Sequence, residues 1–168
     1  VVGERMIVLR RAVEDIGAVA EKLNFEIGLV AEDISGVLAW VPYARYTDIR
    51  GDQHELSPAW ELPLNDWTHL SAAFDGTTGK LILSVNGYPM AESSGPSTDV
   101  PCVTAGNVEA EMTIGAGAVT GPDSYANAFS GFIDEVHIWT VARTADETTA
   151  GYRNVPLGGR VSAVKVAV

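Results

Sequence analysis

An all-β fold, two antiparallel sheets packed face to face, is predicted by three features of the sequence. Apolar residues alternate in short runs: Phe25, Ile27 and Leu29 are separated by Glu26 and Gly28, the period-two pattern of a half-buried strand. Turn signals divide the runs, above all Asp75-Gly76 and Asn86-Gly87, and 17 glycines are available for left-handed turn positions. Helical signals are confined to two short stretches. The 168 residues are read as one domain, 1–168, long enough to bury a core without staples.

Taken in order, Met6–Leu9 is a short apolar run between charges and suits a first strand. In residues 12–23, Val13, Ile16, Ala20 and Leu23 fall at helical spacing, with Glu14 and Asp15 early and Lys22 late, as a helix dipole favours. A short helix and an irregular crossover are both open there. Asn24–Val30 is the half-buried strand, residues 32–36 form a turn, and Val37–Val41 is a strand ended by Pro42. Residues 42–65 are the least regular part, a long polar loop interrupted by Pro58 and Pro63.

Trp67–Phe74 and Lys80–Val85 form a hairpin around Asp75–Gly79. Asn86-Gly87 asks for positive φ at both positions, a type I′ turn, and Tyr88–Ala91 continues the meander. A Ser-, Pro- and Gly-rich loop spans 92–107, Glu111–Ile114 is a strand ended by Gly115, and 115–127 is a further loop. Phe129–Trp139 is expected to be a buried strand that closes the sandwich. Thr144 followed by Glu147 is a capping box that starts a short helical turn. Val161–Val168 ends the pattern as a strand, expected to lie near the first.

The net charge of −11 argues against nucleic acid and against anionic membrane surfaces as partners. Acidity suits solubility, and it suits calcium, which takes carboxylate and carbonyl oxygens. Cys102 is the single cysteine, so no disulfide forms within the chain. No stretch reaches the roughly 18 apolar residues of a membrane-spanning helix, and no signal-peptide pattern is read.

Several stretches together resemble a known family. Phe25–Val30 is similar to its early strand, with Leu29 where a Trp is usual. Asn65-Asp-Trp-Thr-His-Leu70 running into Phe74-Asp-Gly76 resembles its central hairpin, and Leu83-Ser-Val-Asn-Gly87 the strand and turn that follow. Thr113-Ile-Gly115, Phe129–Trp139, Ala142-Arg143 and Thr144–Glu147 resemble its closing motif. These residues resemble the laminin-G-like jelly rolls of the concanavalin A-like lectin/glucanase superfamily. The resemblance implies a two-sheet antiparallel jelly-roll sandwich with one or two short helical turns. It also implies the settings in which such domains occur: sugar binding, adhesion, enzyme accessory modules and virion or surface assemblies.

Candidate sites follow from these two readings. Tyr43, Tyr46 and Trp60 lie in the polar loop and are expected to offer ring faces to a sugar. The resemblance implies one Ca²⁺ at a loop rim, for which Asp75, Asn107 and Asp123 come from three different loops. The competing reading of Asp75 is a turn completed with Gly76. Glucanases of this fold resemble Glu-x-Asp-x-x-Glu on one strand; no such motif is present, and the adjacent Asp134 and Glu135 point to opposite faces. His54, His69 and His137 show no ligand spacing. The expectation is a non-catalytic extracellular or cell- or virion-surface module that binds carbohydrate or a surface protein. The alternative is a structural subunit of a fibre, pilus, sheath or virion that assembles with itself.

Overall fold

In the computed structural model the described residues build two five-stranded antiparallel sheets and a two-stranded ribbon, the sandwich the sequence predicts. The structure describes residues 1–13, 22–95, 99–102, 112–117, 119–121, 124–153 and 164–167. The first sheet contains β1 (Arg5–Val13), β2 (Lys22–Ile34), β3 (Val37–Thr47), β4 (Gln53–Leu56) and β8 (Met112–Ile114), ordered β4-β3-β2-β1-β8. The second contains β5 (Trp67–Asp75), β6 (Lys80–Val85), β7 (Tyr88–Ser94), β11 (Phe132–Asp134) and β12 (Val164–Ala167), ordered β11-β12-β5-β6-β7. β9 (Val119–Gly121) pairs with β10 (Ser124–Tyr125), and α1 covers Ala145–Arg153.

Alternation decides what each strand contributes. Ile27 and Leu29 of β2, Ala44 and Tyr46 of β3, and Leu70 of β5 point inward with Leu81, Leu83 and Val85 of β6 and make one apolar cluster. Leu62, in the segment between β4 and β5, is fully buried in the same cluster. Removing these side chains from water is the main favourable term in the fold.

The opposite face of the first sheet is buried too, and it is charged. Val30, Val41 and Tyr43 pack there. The register places Arg10 opposite Glu26, Glu26 opposite Arg45, and Arg45 opposite Glu55. Directly opposed residues share a face, so four charges of alternating sign cross β1 to β4. Glu26 accepts from Arg45 Nε at 2.7 Å and from the Tyr43 hydroxyl at 2.5 Å, and Arg10 Nε lies 3.4 Å from its other oxygen. The Arg5 guanidinium sits 4.4 Å above the Tyr43 ring and pairs with Glu55.

Several expectations are corrected. β3 does not stop at Pro42, which pairs with Leu29, and the supposed loop 42–65 contains the end of β3 and all of β4. The Pro42 carbonyl accepts from the Ser57 hydroxyl, so its missing N–H faces the side where β4 pairs only from Ala44 onward. A strand tolerates proline where no ladder bond is needed. Residues 12–23 are extended at both ends, in β1 and β2, and 14–21 lie outside the described residues.

The expected strand 129–139 shrinks to β11 at a sheet edge. Glu135 turns the chain with a φ of 55°, and Phe132 is 75% exposed. β12 pairs with β5 and β11, not with β1. The Asn86-Gly87 turn has positive φ at both residues, as predicted. In the capping box, Thr144 N–H donates to Glu147 and Glu147 N–H donates back to Thr144 Oγ1.

At Gly28 the charged face tolerates no side chain. An added Cβ would meet the Met6 carbonyl oxygen at 2.4 Å and the Tyr43 hydroxyl at 3.0 Å. The first of these is backbone and cannot swing away. Gly28→Ala is expected to destabilise the domain by about 1–3 kcal/mol, the usual cost of overpacking, read as a lower urea midpoint. An unchanged midpoint would show that the charged face is looser than described.

Candidate functional site

Two of the three residues expected to stack on a sugar, Tyr43 and Tyr46, are not on the surface. Tyr43 and Tyr46 are buried, at 0% and 4% exposure, so neither offers a ring face to a ligand. Strand alternation explains this: β3 is covered on both faces, Tyr43 lying over Arg5 and Arg45 and Tyr46 stacking on His54 at 4.7 Å. Burial and then the charge of Glu26 push the Tyr43 phenol well above the usual tyrosine range. Trp60 is half-buried and packs against the core. Asp75 spends its carboxylate inside its own turn, accepting from Thr77 N–H at 2.9 Å and from the Thr78 hydroxyl at 2.7 Å. Asn107 and Asp123 lie outside the described residues.

The end of β3 gathers a different cluster. Asp48, His54 and Asp99 bring donor atoms within 4.8 Å of one another, a possible acidic and histidine site. The Asp48 carboxylate is fully buried. One oxygen accepts from Arg50 N–H at 2.8 Å and Asp52 N–H at 3.0 Å. The other accepts from the Arg50 guanidinium at 3.0 Å and lies 3.2 Å from His54 Nε2. The same Arg50 nitrogen bonds Asp99. Burial by itself pushes the Asp48 carboxyl up, yet the donors from Asp52, His54 and Arg50 together hold it well below the usual carboxylate range. Calcium asks for six to eight oxygens. Two carboxylates bridged by a guanidinium, plus an imidazole nitrogen, do not supply that set, and Arg50 serves as the cation here.

The opposite end of the sandwich carries a cleft of about 570 Å³. Trp40, Arg5, Asn65, Asn127 and Ser130 line it. Asn65 and Asn127 hold left-handed backbone, with φ of 61° and 52°, a conformation asparagine tolerates better than most residues. Both are exposed, and neither side-chain amide makes a hydrogen bond among the described residues. Each therefore presents a donor and an acceptor to the cleft's surroundings.

Residues 12–149 match the laminin-G family model described as concanavalin A-like lectin/glucanases superfamily. The chain belongs to the concanavalin A-like lectin/glucanases superfamily. The structure is similar to that of a native heptameric SAP-like pentraxin from Limulus polyphemus. The TM-score is 0.60 at 13% identity, over 98% of this chain and 84% of that one, a likeness of fold. No curated protein matches the chain. Among the described residues of this laminin-G-like domain, no helix is long and apolar enough to cross a membrane.

Within this laminin-G-like domain, the cleft residues escaped the sequence reading. Asn65 was visible only as the lead-in to the Trp67 hairpin, and Asn127 as one polar residue in a loop. Asp48 and His54 were visible as part of a polar crowd, but the partner Asp99 is distant in sequence.

The acid cluster yields a pH prediction. A carboxyl held low in the folded state binds fewer protons there than in the unfolded chain, so it contributes stability above its ordinary value of about 3.9. That contribution drains away as pH falls below it. Thermal midpoints between pH 2 and 5 should therefore fall more steeply for the native protein than for Asp48→Asn, with the variant less stable at pH 7. Parallel curves would remove Asp48 from the account of acid stability.

Proposed function

We propose that this domain is a non-catalytic extracellular or surface module that binds carbohydrate at the cleft between Asn65 and Asn127. The observation that carries the reading is the pair of unspent amides at the mouth of a cleft lined by Trp40 and Arg5. Sugars display adjacent hydroxyls that both donate and accept, and planar amides match them. The Trp40 ring adds apolar contact.

A broad glycan array, run with calcium and again with chelator, tests this reading. Binding is expected in both conditions, because Arg50 already neutralises Asp48 and Asp99 and Asp75 is used within its turn. Asn65→Gly and Asn127→Gly keep the left-handed backbone free of strain. They should abolish binding without lowering the thermal midpoint. Binding that vanishes with chelator would instead return the rim residues Asp75, Asn107 and Asp123 as calcium ligands.

A second reading is self-assembly, favoured by Phe132, an apolar side chain 75% exposed on edge strand β11. A domain that bound no glycan and eluted well above 17.8 kDa on size exclusion would support it.

A further inference from the structure

A second cavity, distinct from the amide cleft, has a different chemistry. Its volume is about 310 Å³, and its lining includes inward-facing side chains of both sheets, Tyr46, Leu70, Phe74 and Leu81. Residues 137–143 line it as well. Ala72 shares the inward face with Leu70 and Phe74, opposite Leu83, yet it is exposed. The apolar interior is therefore open to solvent at this point of the sandwich. A well-packed core leaves few voids larger than a water molecule, and apolar cavities of this size take up apolar ligands.

Polar side chains line it too, among them Glu26, Arg45, His69, His137, Arg143 and Glu147. Arg143 stacks on the Trp139 ring with its guanidinium carbon 4.0 Å from the ring centre. Among the described residues Arg143 makes no ion pair. Its neighbour Glu147 directs its carboxylate to the Thr144 N–H and hydroxyl in the helix cap. His137 lies 3.6 Å from Glu135 and Arg45 donates to Glu26. Arg143 is instead held by the Trp139 ring and the nearby charge of Glu147, with no ion pair among the described residues. A stacked guanidinium is held flat and presents a rigid fork of donors, the geometry that matches a carboxylate.

We infer that this cavity binds a small amphipathic carboxylate, with its apolar body between the sheets and its carboxylate on Arg143. The body is an alkyl chain or an aromatic ring system, and two probes separate them: decanoate and 2-naphthoate. Isothermal titration of the whole domain should detect at least one acid, with decanol or 2-naphthol, which lack the charge, binding about tenfold or more weakly. Arg143→Gln should weaken the acid by a similar factor and leave the alcohol unchanged. Ala72→Phe, which fills the opening from an exposed position, should abolish binding of both while circular dichroism stays native. Equal binding of acid and alcohol, no binding of either acid, or full affinity in Arg143→Gln would overturn the assignment. Glycan binding at the Asn65–Asn127 cleft should be unaffected by either variant, so the two sites stand or fall separately.

Discussion

Glu26 is the constraint on which the first sheet depends. A carboxylate withdrawn from water is costly unless donors replace the lost hydration. The donors come from Tyr43 and Arg45 on β3, and Arg10 on β1 adds an opposite charge from the other side. They meet Glu26 only in one alignment. Sliding β2 by a single residue would turn Glu26 into the apolar core and expel Ile27 and Leu29 to the other side. The charged row therefore specifies register, while the inward-facing leucines supply most of the stability.

The two ends of the sandwich treat polarity in opposite ways. At the end of β3, every oxygen of Asp48 has a partner, and Arg50 joins it to Asp99. Such a network holds a loop in place and leaves Asp48 itself nothing to offer a ligand. At the other end, Asn65 and Asn127 keep their amides unspent, although the same fold could have drawn them into turns. Hydrogen-bonding capacity is therefore left at this end, and the proposed carbohydrate binding draws on it.

The fold was largely legible because alternation and turn chemistry are local signals. The run Phe25 to Leu29 and the turn at Asn86-Gly87 could each be read without reference to anything else. Where the reading failed, distant partners decided the outcome. Pro42 looks like a strand terminator until β4 is seen to begin pairing only at Ala44. Tyr43 and Tyr46 look like loop aromatics until β3 is found covered on both faces. The stretch after Phe129 alternates well, yet the left-handed turn at Glu135 interrupts it. The candidate site was less legible still, since two isolated asparagines in separate loops carry no periodicity.

The position of β12 bears on how the domain is made. It lies between β5 and β11, with Val164 opposite Leu70. Its pairing with β5 thus spans more than half of the chain, whereas β11 is much nearer in sequence. Contacts of such long sequence range carry a large loop-closure entropy and slow the search for the native pairing. During synthesis β5, β6 and β7 would emerge and pair while one side of β5 stayed bare. An unpaired strand edge of this kind can join a neighbouring nascent chain. Expression yield should thus depend on keeping nascent chains apart until β12 has emerged.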